Sequence, residues 1–551
     1  MKNNILRTNI LIALGAMLLF IPFLGAVHLF DWDEINFAEC AREMVVTGDY
    51  FSVKINYQPF WEKPPVFIWM QAFCMKLFGV NEFAARLPNA ICGVFTLLVL
   101  FNIGRKLYDV RFGLVWVLVY AGSFLPHFYF KSGIIDPWFN LLIFVGMYYF
   151  ILFTNNNTQF SKNSNSTKLL VLSAVFIGLA ILTKGPVAGL IFALCLGVFW
   201  LMKRFQTVIS LKQIFIFGLS VAAVGGLWFL MLYLTGNASV ILDFFLYQVR
   251  LFNTQDAGHG GPFFYHWIVI LLGCFPLSVF ALRALRGSGE DSPYQRHFKR
   301  WMSILFWVVL ILFSIVKTKI VHYSSLCYFP LSFLAAYAVY KLMYAEMIWK
   351  KYSSVLIMII ASLIGAAISL LPLADKLKER IIASGVIRDK FAEGNLQATV
   401  NWTGFEWLIG AGLIIGTGAM LWLISKEKIK QGIIGIFLIS LASVNLASFV
   451  IAPRIERYSQ GAAIDFFEYL QDKDCYVETI GYKSYAHLFY SAKRPQNNLS
   501  SYNMDWLLKN DIDKPAYFSS KINSYNDIVN SYPKLKEIYR KNGFVFWMRM
   551  P

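Results

Sequence analysis

The chain has 551 residues, of which 57% are hydrophobic and only 15% are Asp, Glu, Lys or Arg. A soluble protein of this length needs more polar surface, so the composition excludes the soluble globular class. Apolar runs of about 20 residues recur, and each can cross a hydrocarbon core of about 30 Å as a helix. The net charge of +18 is explained by basic loops that orient such helices, so we predict a polytopic α-helical membrane protein and no nucleic-acid partner.

The first apolar run, residues 10–29, follows Lys2 and Arg7 in the manner of a signal peptide. No small-x-small cleavage site precedes Asp31, so we interpret this run as a retained first helix. Counting all runs of suitable length gives about thirteen membrane helices. They are predicted near residues 10–29, 83–104, 113–130, 134–153, 168–183, 186–202, 213–235, 264–282, 301–316, 320–340, 354–373, 405–425 and 432–452.

The charge of the connecting loops predicts their sidedness. Every even-numbered gap is basic, with Arg105, Lys203 and Lys426 as examples, and basic loops stay in the cytoplasm. The loops at 30–82 and 236–263 and the C-terminus then face the other side. In a bacterium this is the periplasmic face of the inner membrane.

The composition changes near residue 453. The segments "CYVETIGY" and "GFVFWMRM" are typical of strands, whereas "AAIDFFEYLQ" and "YNDIVNSYPKLKEIYRKNG" are typical of helices. We predict a transmembrane domain at 1–452 and a small periplasmic α/β domain at 453–551. The seven cysteines are scattered without metal-like spacing, so no disulfide framework is predicted.

The stretch "DWDEINFAEC" (31–40) places four carboxylates directly after the first helix. Asp31 and Glu34 have the spacing of a capping box, and an apolar stripe after them predicts a helix along the membrane interface. Capping does not require Asp33. Functional residues concentrate on loops, so Asp33 is a candidate catalytic carboxylate.

The same loop contains "WEKPP", in which Pro64 stiffens the backbone around Glu62 and Lys63. A lysine held in this way can bind a phosphate as a point charge. The alternative is an interfacial anchor, in which Trp61 lies among the lipid headgroups and Lys63 extends toward water.

Short turns add further charges to the same face. Asp136 begins a helix in "IIDPW" and is either a helix cap or a site residue. Lysines on this face run against the positive-inside trend, which an anionic ligand would explain, although lysines also extend from helix ends to water. The candidates in "LTKGP" and "VKTKIVHY" are Lys184, Lys317, Lys319, His322 and Tyr323.

The 236–263 loop contains "YQVRLFNTQDAGHGGPFFYH". Arg250 follows an aromatic stretch and is a candidate phosphate ligand. His259 is a candidate metal ligand supported only by the neighbouring Asp256. No cofactor is required by any motif, and a divalent metal is left open.

These motifs, in this order, resemble the family of lipid A 4-amino-4-deoxy-L-arabinose transferases, which belong with the protein O-mannosyltransferases in the GT-C fold of membrane glycosyltransferases. The resemblance covers about residues 8–340 and rests on "DWDEINFAECAREMVVTGDY", "FWEKPP", "KLFGVNEFAARLPNA", "IIDPW", "LTKGP" and "FSIVKTKIVHYSSLCYFPL". One position departs: these enzymes commonly have arginine three residues after the first-loop aspartate, where this chain has Asn36.

The resemblance implies an inverting transferase that takes a sugar from a polyprenyl-phosphate carrier on the periplasmic side. The acceptor would be lipid A, a related glycolipid or a protein. It implies catalytic roles for Asp33, Glu34 and Asp136, and a contact between Lys63, beside Glu62, and the donor phosphate. A transporter of lipid-linked sugars is the alternative from another class, but it should show repeat symmetry and charges in mid-helix, and the sequence shows neither.

Overall fold

The computed structural model describes residues 2–157, 165–254, 260–284, 291–344 and 347–551. Within these ranges, nine helices are long and apolar enough to cross a membrane. They are Asn3–Phe20, Glu82–Leu107, Asp136–Asn155, Ser166–Lys184, Pro293–Ile315, Val321–Met343, Lys351–Lys376, Trp407–Ser425 and Ile429–Ser459.

Three further predicted spans are each a pair of helices with a sharp bend. The pairs are Val110–Ala121 with Phe124–Lys131 (84°), Leu211–Gly225 with Leu227–Leu234 (51°), and Tyr265–Gly273 with Leu277–Ala284 (108°). The last pair breaks at Pro276, which lacks a backbone N–H for the helix ladder. With the shorter apolar helix Val187–Met202, these elements account for all thirteen predicted segments. The chain is a multi-pass membrane protein.

The loop between the first two spans is folded. It contains the helix Asp33–Thr47 (the loop helix), a hairpin of β1 (Lys54–Ile55) and β2 (Gln58–Pro59), and the helix Val66–Phe78. The predicted capping box is wrong, because the loop helix begins after Trp32 without a side-chain cap. All its residues from Glu34 to Met44 are buried, so protein encloses this helix where the sequence predicted an exposed interfacial face.

The C-terminal domain contains a four-stranded sheet of β3 (Tyr476–Ile480), β4 (Ala516–Lys521), β5 (Lys536–Lys541) and β6 (Phe544–Arg549). The order is β3-β4-β6-β5, with β3 parallel to β4 and the other pairs antiparallel. One face packs into a core that includes Phe518 and Trp547. The helices of this domain are Gly461–Tyr469, Ala486–Tyr490, Met504–Lys509 and Tyr525–Ser531.

Two predictions for this domain need correction. The helix predicted over 525–543 ends at Ser531, before Pro533, and the rest forms β5, which turns into β6 through Asn542 and Gly543. Both turn residues have positive φ (50° and 77°), as a tight hairpin requires. The predicted boundary at 453 lies inside the continuous helical segment Ile429–Ser459, so the sheet domain begins after Ser459.

Candidate functional site

A cavity of about 660 Å³ opens between the loop helix, the bundle and the C-terminal domain. It gathers predicted site residues from distant parts of the sequence. Its walls include Asp33, Glu34, Glu62, Lys63, Asp136, Lys184, Arg250, His322 and Tyr323. Trp32, Tyr247 and Lys483, which the sequence did not single out, also line it.

Two carboxylates meet around one histidine in this cavity. His322 Nε2 lies 3.1 Å from Asp33 Oδ2 and 3.8 Å from Asp136 Oδ2. Lys184 Nζ bonds the other oxygen of Asp136 at 2.6 Å and lies 5.2 Å from the ring centre of Tyr323. Asp136 and Lys184 sit at facing ends of two membrane helices, which explains how short turns deliver both groups to one place.

Asp33 is an ionised carboxylate in this setting. Burial would raise its pKa, but the hydrogen bond from His322 and the positive charges of His322, Lys63 and Lys184 outweigh burial and lower the pKa to about 2. Hydrogen bonds and nearby positive charge favour the anionic form. Asp33 therefore offers a fixed negative charge to the cavity over the whole physiological pH range.

Glu34 points to a different set of partners. Its carboxylate forms a two-pronged ion pair with Arg86, at 3.1 Å to Nε and 2.8 Å to Nη2, and accepts the backbone N–H groups of Phe30 and Gly133. Burial acts to raise its pKa, but these contacts, led by Arg86, lower it. The geometry therefore makes Glu34 a positioning residue whose oxygens are engaged by the protein.

Tyr247 organises a second group of charges, the Tyr247 cluster (Glu62, Lys63, Tyr247 and Arg250). The Tyr247 hydroxyl donates to Glu62 Oε2 at 3.0 Å. Lys63 Nζ lies 5.2 Å and the Arg250 guanidinium carbon 5.1 Å from the centre of the same ring. Two cations held beside one aromatic ring form a suitable place for a phosphate.

Lys317 and Lys319 do not reach the cavity wall. The Lys319 ammonium donates to the carbonyls of Phe313 and Ser314 at 2.9 and 2.7 Å, so it caps the end of the helix Pro293–Ile315. Lys317 is exposed and does not line the cavity. The sequence placed both lysines on the correct turn but could not show which way they point.

The described residues contain no group of three His, Cys, Asp or Glu side chains arranged to hold a metal ion. His259, the predicted metal candidate, lies outside the described residues.

The helical bundle with its cavity and the small C-terminal sheet domain confirm the predicted GT-C type of fold. The fold is that of ArnT from Cupriavidus metallidurans bound to undecaprenyl phosphate, with a TM-score of 0.75, 16% identity and coverage of 98% of this chain and 97% of that one. The archaeal oligosaccharyltransferase AglB from Archaeoglobus fulgidus aligns with a TM-score of 0.52 and 12% identity, over 95% of this chain and 70% of that chain.

Sequence comparison supports the predicted resemblance. A profile described as dolichyl-phosphate-mannose-protein mannosyltransferase matches residues 62–233. The undecaprenyl phosphate-alpha-4-amino-4-deoxy-L-arabinose arabinosyl transferase of Shewanella sediminis is 26% identical over 83% of this chain and 78% of that protein. The enzyme of the same name from Edwardsiella ictaluri is 28% identical, but the match spans only 57% of this chain and 56% of the relative. The predicted resemblance is confirmed: the chain is similar to the aminoarabinose transferases and protein O-mannosyltransferases in its sequence and its fold.

The buried ion pair yields a stability prediction. Arg86→Ala leaves the Glu34 carboxylate buried without its charge partner, and we expect the free energy of unfolding to fall by about 3–5 kcal/mol. Thermal unfolding of the purified protein in detergent measures this loss. Adding Glu34→Gln to Arg86→Ala should restore part of it, because the unpaired charge is removed. Equal stability of wild type and Arg86→Ala would show that this pair does not hold the loop.

Proposed function

We propose that this protein transfers a sugar from a polyprenyl-phosphate carrier to lipid A or a related glycolipid, with inversion at the anomeric carbon. The reaction would take place on the periplasmic face of the bacterial inner membrane. The proposal depends on one observation about the cavity. The positive charges of Lys63 and Lys184 lie close enough to Asp33 to help keep its carboxylate ionised.

The cations suit the leaving group. As the bond between the anomeric carbon and the phosphate oxygen breaks, its electron pair stays on the phosphate, whose negative charge grows. Lys63 and Arg250 of the Tyr247 cluster would stabilise that charge, since positioned donors aimed at developing charge supply a large part of catalysis. The Cupriavidus metallidurans structure with undecaprenyl phosphate supports a lipid phosphate as the group bound here.

The low pKa of Asp33 indicates which kind of acceptor suits the cavity. A general base works best when its pKa is near the working pH, so a carboxylate with a pKa of about 2 is a weak base. A phosphate acceptor is already anionic, and its oxygen attacks without losing a proton. Asp33 would then stabilise positive charge at the anomeric carbon and orient His322. This favours an anionic lipid acceptor.

A protein acceptor is the second candidate, because the profile matching residues 62–233 is described as a protein mannosyltransferase. A serine or threonine hydroxyl must lose its proton during attack. His322, between Asp33 and Asp136, could accept it when its imidazole is neutral. The names of the sequence relatives favour the lipid reading.

A transfer assay tests the function. Purified protein in detergent is given undecaprenyl-phosphate aminoarabinose or a polyprenyl-phosphate hexose, together with lipid A or a Ser/Thr-containing peptide. Mass spectrometry of both acceptors identifies the product. We expect a mass increase of one sugar on lipid A. Modification of the peptide with none of lipid A would favour the protein O-glycosyltransferase.

Lys63→Ala should reduce turnover about 10²–10³-fold, the usual cost of removing one group that stabilises developing negative charge. Lys317→Ala is the matched control, because that lysine is exposed and off the cavity wall, and its rate should stay near wild type. The measurement is initial rate at saturating lipid A. Normal turnover by folded Lys63→Ala would identify Lys63 as an interfacial anchor.

Asp33→Asn removes the fixed charge and keeps the side-chain size. With lipid A we expect a loss smaller than the about 10²–10⁴-fold that removal of a general base costs, and a larger loss with any hydroxyl acceptor. Because the pKa of Asp33 is lowered to about 2, this group stays ionised and should add no acidic limb to the wild-type rate profile between about pH 4 and 8.

Asp31→Asn is the comparison for that variant. Asp31 accepts the Tyr485 N–H at 3.4 Å, and an asparagine oxygen can accept the same bond, so most activity should remain. Rates of purified, folded variants decide between the two aspartates. An inactive Asp31→Asn beside an active Asp33→Asn would reverse their assignment.

The proposed sidedness is tested by labelling. In a Cys475→Ser background, Asp511→Cys should react with a membrane-impermeant maleimide in intact spheroplasts, since Asp511 is fully exposed on the C-terminal domain. Gln206→Cys, in a basic gap, should react only after lysis. The opposite pattern would put the cavity on the cytoplasmic side.

A further inference from the structure

Lys483 is the residue by which the C-terminal domain enters the cavity. It lies in the turn after β3, where Gly481 has a φ of +76°. The turn is held on both sides: Thr479 Oγ1 donates to the Tyr482 carbonyl at 2.9 Å, and the Tyr482 hydroxyl bonds Ser519 Oγ at 2.6 Å. The backbone that presents Lys483 is therefore built into the sheet domain.

The Lys483 ammonium rests on two aromatic rings. It lies 4.8 Å from the ring centre of Trp32 and 5.5 Å from that of Tyr485. Trp32 directly precedes Asp33 in the chain. Because the Lys483 ammonium lies against the Trp32 ring, it is close to the centre of the cavity. An exposed contact with a ring is worth only about 0.5–1 kcal/mol, which leaves the ammonium able to bind an anion.

The charges of the cavity wall divide into two groups. The central carboxylates have cationic partners: Asp33 with His322, Asp136 with Lys184, and Glu34 with Arg86. Lys63 and Lys483 lie beside aromatic rings, and neither forms an ion pair with a carboxylate of the described residues. Two lysines on one cavity wall, each beside an aromatic ring and neither in a close ion pair with a described carboxylate, provide for two anionic groups.

We propose that Lys483 binds the phosphate of the acceptor lipid, while Lys63 binds the phosphate of the donor. This inference rests on the proposed function. The two lysines are supplied by different elements: Lys63 belongs to the Tyr247 cluster beside the amphipathic helix Ala238–Asn253, and Lys483 belongs to the C-terminal domain. Lys483 contacts Trp32, the residue before Asp33, and it therefore approaches the reacting centre from the side of the sheet domain. The C-terminal domain then selects the acceptor.

Steady-state kinetics separate the two phosphates. Lipid A is varied at saturating undecaprenyl-phosphate sugar, and the sugar donor is varied at saturating lipid A. Lys483→Ala should raise the KM for lipid A about ten- to hundredfold, the value of one hydrogen bond between charged groups, and leave the KM for the donor unchanged. Lys483→Arg should keep most of the affinity. Lipid A binding without donor should weaken by the same factor in Lys483→Ala.

Lys521→Ala is the matched control. Lys521 ends the neighbouring strand β4 and also rests on two rings, those of Phe391 and Tyr482, but it does not line the cavity. Like Lys483→Ala, this substitution removes one lysine charge from the C-terminal domain. It should leave the KM for lipid A and the KM for the donor unchanged.

Three results would overturn the inference. The KM for lipid A could be unchanged in Lys483→Ala, the KM for the donor could rise in Lys483→Ala instead of the KM for lipid A, or Lys521→Ala could raise the KM for lipid A by the same factor. If wild-type protein makes no product with lipid A, the proposed function fails and the inference falls with it. Product from the wild type with an unchanged KM in Lys483→Ala removes only the role of Lys483.

Discussion

The Glu34 carboxylate joins three separate parts of the chain, and the geometry of the cavity depends on it. The carboxylate binds Arg86 on the second membrane helix. It also accepts hydrogen bonds from the N–H of Phe30, which precedes the loop helix, and from the N–H of Gly133, which lies in the turn before Asp136. Asp33 is the preceding residue, so its position follows from that of Glu34. A buried charge without its partner costs several kcal/mol, so this arrangement tolerates few alternatives.

The C-terminal domain holds the same loop from the opposite side. The Lys493 carbonyl accepts from Arg42 at 2.7 Å and from the Tyr57 hydroxyl at 2.6 Å, and the Tyr490 hydroxyl accepts the N–H of Leu29 at 2.6 Å. This explains why a helix with four charged residues between Glu34 and Glu43 is buried along its length. Burial and the nearby Glu39 carboxylate raise the pKa of Glu43 well above its ordinary value, which favours the neutral form of Glu43 in this packed interface.

The sequence predicted the membrane helices and most of the cavity because both have local signals. Hydrophobic length predicts spans, and outward charges such as Lys63 and Lys184 stand out against the positive-inside trend. The sequence did not pair Glu34 with Arg86, because Arg86 lies 52 residues away. It could not show that Lys319 binds helix carbonyls, because a lysine that caps carbonyls and one that binds phosphate look alike in sequence. Lys483 was missed because a single lysine after a strand carries no signal until the domain packs beside Trp32.

The charge balance of the cavity connects its architecture to the chemistry proposed for two lipid substrates. Pairing Asp33 with His322 and Asp136 with Lys184 holds both carboxylates at the centre, where positive charge would develop on the sugar in the proposed reaction. The same pairing lowers the basicity of Asp33, which an acceptor that is already anionic tolerates. Two anionic lipids then need cations on either side of that centre to offset their mutual repulsion. In the proposed reaction the Tyr247 cluster would supply Lys63 and Arg250, and the C-terminal domain would supply Lys483. Donor and acceptor recognition would then vary independently while the centre between them stays the same.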